Sequence, residues 1–310
     1  MKKTRPWPPQ LGLAIALAAL MTGLALARPG FFTLGNLINL VRQISINGIL
    51  AAGVTYVLLS GGVDLSLGSL VALTGVIAAG FAHPGGYGAA VAVGAGIAAG
   101  AVCGAINGLL VTRGRIAPFV VTLGMMTSAR GLALLASGGR PVSNLSAAFT
   151  RIGSGDFAGI PLPSWILLTV ALASHVFLRH MRMGRHVYAV GGNEGAARAS
   201  GVHVNRVKMV CYTVCGAMAG LAGVVLAARI TTGQPNAGIG YELDAIAAVV
   251  IGGTSLNGGT GGIGGTILGA LLIGVINNGL DLLNVSSYYQ QIIKGVIIVG
   301  AVWLDRSRKS

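Results

Sequence analysis

Residues 89–112 read AAVAVGAGIAAGAVCGAINGLLVT, a run of 24 residues that contains no charge. A helix rises about 1.5 Å per residue, so this run is long enough to cross a hydrocarbon layer about 30 Å thick. The whole chain is similar, since 9% of its 310 residues are charged, 54% are hydrophobic and its mean hydropathy is +0.79. These values predict an all-α fold, a polytopic transmembrane bundle that forms one domain over residues 1–310.

Further apolar runs predict about ten spans, the first of which is expected to stay in the mature chain. The weakest of the ten covers 242–258, because its apolar stretch is short and GGTSLNGG follows at 252–259. A re-entrant segment is the alternative there. The ten predicted spans lie near 11–27, 44–60, 66–82, 89–112, 117–137, 163–178, 209–228, 242–258, 263–281 and 287–303.

The basic residues orient the chain. Its net charge of +14 could suggest a nucleic-acid partner, but most of the basic residues fall in the loops of one side, as the positive-inside rule predicts. We therefore expect a multi-pass membrane protein with both termini in the cytoplasm and no nucleic acid as partner. The fourteen cytoplasmic basic residues, of 21 in all, are Lys2, Lys3, Arg5, Arg113, Arg115, Arg179, Arg182, Arg185, Arg198, Arg206, Lys208, Arg306, Arg308 and Lys309.

Glycine accounts for 51 residues, and part of it forms two series with a spacing of four. Such a spacing places the glycines on one helix face, where they allow close helix packing in lipid. The series end in similar strings, GAINGLL at 104–110 and GVINNGL at 274–280, and the intervening spans would give them opposite orientations. This pattern predicts an inverted repeat, which is common in transporters. The two series are Gly96, Gly100, Gly104 and Gly108, and Gly261, Gly265 and Gly269.

A few polar residues lie within or beside apolar runs. Asp64 and Asp244 each precede such a run, which favours helix N-caps, and both could also line a transport path. Arg130 and Lys294 could pair with these acids. The amides could bond neighbouring helices or bind a polyol, since an amide both donates and accepts. The candidates for the path are Asp64, Asn107, Glu242, Asp244, Asn277 and Asn278.

Several kinds of chemistry are not expected. The chain has no GxxxxGK[ST] string for ATP and no HExxH or GxSxG motif. Its three cysteines form no CxxC pair, and its five histidines lack metal-ligand spacing. We therefore predict no catalytic residue, no metal site and no cofactor.

The polar segment, residues 179–208, interrupts the apolar chain with RHMRMGRHVYAVGGNEGAARASGVHVNRVK. Asn193 is suited to cap a very short helix, Glu194 suits its positive end, and Gly201 can end it. A docked helix is predicted, with a solvated basic loop as the alternative. The residues predicted to couple this segment to a partner are Gly192, Asn193, Glu194, Ala196, Ala197, Arg198 and Gly201.

Long strings in the chain resemble those of ribose-type ABC importer permeases. They are GRHVYAVGGNEGAARASGV at 184–202, GGVDLSLGSL at 61–70, YELDAIAAVVIGGTSL at 241–256, and NNGL with VSSYYQ at 277–290. The likeness runs from about Phe31 to Trp303 and is weakest in the loop 138–162. It implies a place in the bacterial plasma (inner) membrane, a permease pair, an ABC ATPase subunit on a separate chain, and a periplasmic or lipid-anchored sugar-binding protein.

The resemblance also implies a mechanism, in which closure of the ATPase moves the short cytoplasmic helix and opens the path alternately to each side. Ribose or a related pentose is the expected cargo. The alternative from the residues alone is a secondary transporter or facilitator, in which Asp64 or Glu242 could couple transport to protons.

The predicted topology can be tested by thiol labelling. Single cysteines at Ser200 and Ser310, in a cysteine-free background, are expected to resist an impermeant thiol reagent added outside intact cells. Labelling of either cysteine from outside would contradict the orientation.

Overall fold

The computed structural model describes residues 9–307, and nearly every element in that range is a helix. Five basic residues of the orientation prediction (Lys2, Lys3, Arg5, Arg308 and Lys309) and Ser310 lie outside the described residues. The helices are α1 Pro9–Ala27, α2 Leu34–Leu59, α3 Leu67–Phe81, α4 Ala89–Thr112, α5 Pro118–Ser137, α6 Ala147–Ser154, α7 Leu162–His180, α8 Arg182–Gly192, α9 Glu194–Ala199, α10 Val204–Ile230, α11 Tyr241–Ile251, α12 Ile263–Leu282 and α13 Ser287–Ser307, and a 3-10 turn spans Pro29–Phe32.

The length and hydropathy of the helices confirm a polytopic, all-α membrane protein. Six helices, namely α2, α4, α5, α7, α10 and α12, are long and apolar enough to cross a membrane. Two shorter apolar helices, Leu11–Ala27 within α1 and Leu67–Phe81, are also found.

The run 242–258 is not one continuous helix. Helix α11 has 11 residues, so it is about 16 Å long, roughly half the thickness of a bilayer core. It ends where Gly252 and Gly253 follow, and Gly253 has a φ of +91° that favours glycine. The loop 252–262 then turns back, and the Gly259 amide donates to the Leu59 carbonyl at 3.0 Å.

The connection between α5 and α7 contains more structure than its sequence suggested. It forms the short helix α6 and an antiparallel hairpin of β1 Asp156–Phe157 and β2 Ile160–Pro161. Val142 pairs with Gly233, so this connection is tied to the segment that leads from α10 to α11.

Helix α10 lies at the centre of the fold and contacts α2, α3, α4, α6, α8 and α9. Its closest neighbour is α4, where the glycine series predicted from the sequence faces α10. A Cβ on Gly104 would collide with the Tyr212 carbonyl, and one on Gly216 would lie 2.8 Å from the Gly104 Cα. The prediction that this series forms one packing face is therefore confirmed.

The second glycine series is only partly helical. Gly265 and Gly269 lie in α12 and face the backbone of Gly252 and Ala248, so they bring α12 close to the end of α11. Gly261 precedes α12 and has a φ of +132°. The prediction that all three share a helix face is wrong for Gly261, because α12 begins only at Ile263.

Candidate functional site

Asp64 lies in a buried polar group that we call the Asp64 cluster (Asp64, Ser66 and Asn107). Asp64 and Asn107 are both 0% exposed. The Asp64 Oδ1 accepts the Ser66 amide at 2.9 Å and the Ser66 hydroxyl at 2.6 Å, and Asn107 Nδ2 donates to Ser66 Oγ at 3.2 Å. These hydrogen bonds join the segment between α2 and α3 to helix α4.

The prediction that Asp64 is the N-cap of the next helix is wrong, because Asp64 lies two residues before the N-cap position. Helix α3 begins at Leu67 with Ser66 at the N-cap, and the Ser66 side chain makes no capping bond. Asp64 instead forms an Asx turn two residues earlier, where its carboxylate binds the Ser66 amide. It therefore satisfies a buried amide beside the helix start rather than capping the helix.

The Asp244 cluster (Asp244, Asn277 and Lys294) is a second buried group, in which Asp244 is 3% exposed. Its Oδ2 accepts from Asn277 Nδ2 at 3.1 Å and from Lys294 Nζ at 2.9 Å. The predicted pairing of Lys294 with an acid is confirmed. The predicted N-cap role of Asp244 is wrong, because Gly240 holds the N-cap position of α11 and Asp244 lies within the first turn.

Asn278 joins two helices. It forms a reciprocal amide pair with Asn36 of α2, with N–O distances of 3.0 and 2.8 Å. Interhelical hydrogen bonds of this kind contribute about 0.6 kcal/mol each in membranes. The contact favours the helix-bonding interpretation of this amide.

Glu242, among the path candidates, lines a cavity beside Arg130. Arg130 was expected to pair with an acid, but its Nη1 donates to the carbonyls of Pro235 at 2.7 Å and Ala237 at 2.8 Å. Within residues 9–307, Arg130 forms no ion pair shorter than 4.0 Å. The other five candidates (Asp64, Asn107, Asp244, Asn277 and Asn278) are buried in the bundle.

The predicted short helix in the polar segment is confirmed as α9. Asn193 occupies its N-cap and accepts the Ala196 amide at 2.9 Å, and Gly201 follows the helix with a φ of +82°. Helix α8, which ends at Gly192 and buries Val187 and Val190, was not predicted from the sequence.

Gly191, in the last turn of α8, allows three backbone segments to meet just before α9. A Cβ on Gly191 would collide with the Leu59 carbonyl and would lie 2.6 Å from the Gly259 amide nitrogen. The end of α8, the end of α2 and the loop 252–262 are therefore in direct contact. Helix α9 projects from a closely packed base.

The two central alanines of α9 have different environments. Ala196 is exposed, whereas Ala197 is 5% exposed and packs in the main core of the bundle. Both were predicted as part of the coupling segment, but the helix turns Ala197 towards the protein, so we expect a partner to meet Ala196 rather than Ala197.

Glu194 links α9 to α10. Its Oε1 accepts from Arg198 at 2.9 Å within α9, and its Oε2 accepts from Lys208 of α10 at 2.7 Å. The hydrogen bond from Lys208 is the main reason that the pKa of the Glu194 carboxyl lies below its ordinary value. Both bonds therefore hold at neutral pH and weaken only when the pH falls through that lowered pKa.

Comparison with known proteins identifies the class. Residues 36–302 match the family model described as the permease component of branched-chain amino acid transport systems. This match covers most of the chain, so the chain belongs to this family of transport permeases.

Several similar proteins are named as sugar permeases. The ribose import permease protein RbsC of Escherichia coli (strain K12) is 47% identical, and the alignment covers 99% of this chain and 96% of that protein. RbsC of Bacillus subtilis (strain 168) is 46% identical, with 97% and 94% covered. The D-allose transport system permease protein AlsC of E. coli K12 is 40% identical, with 89% and 85% covered. No solved structure was found to match the chain.

Two contacts were not predicted from the sequence. The Glu194–Lys208 pair joins residues 14 apart across a turn, so helical spacing alone could not reveal it. The charge of Arg130 in the middle of an apolar span indicated that it pairs within the protein, but its backbone partners lie more than 100 residues away.

Asp64 can be tested with a matched pair of substitutions. Asp64→Asn keeps an Oδ1 acceptor for Ser66, whereas Asp64→Leu removes it and leaves a buried donor unpaired, which costs about 1–3 kcal/mol. We expect the Asn variant to retain much more solute uptake than the Leu variant at equal membrane abundance. The same two changes at Asp156, an exposed acid in the hairpin, are the control and should have equal effects. Equal uptake by the two Asp64 variants would contradict the role of this carboxylate.

Proposed function

We propose that this protein is the membrane permease subunit of an ATP-driven ABC importer that carries ribose or a related pentose. The observation that carries the proposal is the 47% identity to a ribose import permease over nearly the whole of both chains. The exposed, capped helix α9 supports it, because a helix presented outside the bundle is suited to contact a soluble partner.

The proposed topology has about ten spans, with both termini and the polar segment in the cytoplasm. An inverted repeat is supported by two similar arrangements, in which a buried acid before or within a short helix meets an asparagine of the next long helix. The first is Asp64 near Asn107 on α4, and the second is Asp244 bonded to Asn277 on α12. The similar strings 104–110 and 274–280 thus each supply an asparagine, Asn107 or Asn277, that lies close to a buried acid.

The proposed partners follow from the class. A separate ABC ATPase would bind α9, a sugar-binding protein would deliver the sugar from outside, and a second permease copy would complete the path. Glu242 is the strongest path candidate because it lines a cavity. The buried Asp64 and Asp244 clusters border the path and hold the short helices α3 and α11 in place.

The docking of α9 is tested with Ala196→Trp. Ala196 is exposed, so the bulky ring would leave the bundle intact and would obstruct a fitted partner. Overpacking of a contact costs about 1–3 kcal/mol, and each 1.4 kcal/mol lowers an association constant about tenfold. Co-purification of the ATPase and uptake of labelled ribose should fall together by about tenfold or more.

Two further tryptophan variants serve as comparisons. Ala173→Trp, at an exposed position of α7, should leave ATPase binding and uptake unchanged. Ala197→Trp should instead lower the thermal stability of the permease itself, since this residue is buried. If Ala196→Trp binds the ATPase and imports ribose normally, α9 is not the docking site, and ribose uptake that needs no ATPase would favour a secondary transporter.

A further inference from the structure

A cavity of about 340 Å³ lies between α3, α5 and the segment that leads into α11. Pockets that bind small molecules commonly have volumes of roughly 300–1,000 Å³. Its lining combines two charged side chains, two hydroxyls and two apolar side chains. These are Arg130 and Glu242, Ser69 and Thr127, and Met126 and Ile239.

Arg130 occupies a fixed position in this cavity. It lies within α5, where an ionisable side chain is costly unless it faces protein or a polar space. Its Nη1 holds the carbonyls of Pro235 and Ala237, which fixes the segment that carries Ile239. The other two guanidinium nitrogens of Arg130 donate no hydrogen bond to any residue that the structure describes.

Glu242 is positioned by glycine. A Cβ on Gly68 would collide with the Gly238 carbonyl and with the Glu242 Oε2, so the glycine lets the segment before α11 and the carboxylate lie directly against α3. The carboxylate lies near the amides of Gly240 and Glu242 at the start of α11. Opposite charges thus flank the cavity, yet no ion pair within 4.0 Å closes it in the part of the chain that the structure describes.

This arrangement suits a hydroxyl-rich molecule without net charge. Sugar hydroxyls can donate to a carboxylate and accept from a guanidinium, and the Ser69 hydroxyl can do both. The Thr127 hydroxyl donates to the Leu123 carbonyl at 3.2 Å and can still accept from a sugar hydroxyl. The opposite charges of Arg130 and Glu242 offset each other, so the cavity offers little net attraction to an anion or a cation. The C–H face of a sugar can pack on Met126 and Ile239. The few polar groups set among apolar walls are typical of ligand sites.

We propose that the Arg130–Glu242 cavity is a contact site for the sugar within the translocation path. The inference rests on the proposed function and names the side chains that the sugar meets. Thr127 and Ile239 are exposed, so the cavity is open on one side. A transport site should bind its cargo weakly enough to release it, and an open site meets that need.

The test measures protection of a cysteine by ribose. Thr127→Cys is placed in a Cys103→Ala background, since Cys211 and Cys215 are fully buried, and the permease is purified with its ATPase subunit in nanodiscs. We expect ribose to slow labelling of this cysteine by a small thiol reagent, about twofold at half-saturation. Ser128→Cys, an exposed neighbour outside the lining, should show no protection, and Met126→Cys replaces Thr127→Cys if the latter does not fold.

A second variant examines the charged pair. Glu242→Gln should weaken the protection by ribose, whereas Asp156→Asn should not change it. Two results are decisive when the wild type imports ribose. In one, ribose protects neither the Thr127→Cys nor the Met126→Cys variant. In the other, ribose protects the Ser128→Cys variant as strongly as the Thr127→Cys variant. Either result overturns this inference while the proposed function stands. Absence of ribose import by the wild type would overturn the proposed function itself.

Discussion

The close backbone contact between α4 and α10 is the constraint on which the rest of the structure depends. Lipid supplies no hydrophobic force between helices, so their association relies on close packing and polar contacts. Glycines on both helices, such as Gly104 and Gly216, let the backbones meet. Because α10 also contacts α2 and α3, this packing fixes the places where Asp64 and Asn107 are buried together.

The same helix connects the bundle to the exposed helix α9. Lys208, in the second turn of α10, donates to Glu194, and Gly191, at the end of α8 just before α9, lies against the end of α2. We infer that a force on α9 would act on α10 through this ion pair and on α2 through the adjoining end of α8. Since α10 packs along α4, a tilt of α9 would reach the helices around the Asp64 cluster through these contacts.

Sequence predicted the parts of the fold that repeat or that obey local rules. The glycine spacing on α4, the Asn193 cap and the Lys294 pairing with an acid were all confirmed. The sequence did not predict where α11 ends or that Asp64 lies before the N-cap of α3. Each of these features depends on a turn whose geometry is set by tertiary contacts. The burial of Ala197 also needed the structure, since α9 has six residues and no apolar period can be read from so short a helix.

We infer that α9 acts on the bundle through Glu194 and Lys208, and the number of sugars imported per ATP hydrolysed tests this coupling most directly. Lys208→Met removes the bond to α10, whereas Arg198→Met removes only the bond within α9, where Arg198 is more exposed than Lys208 (62% against 21%). We expect Lys208→Met to keep the ATPase bound but to lower this ratio several-fold, while Arg198→Met stays near the wild type. Equal ratios in the two variants, or a normal ratio in Lys208→Met, would contradict the coupling through this ion pair.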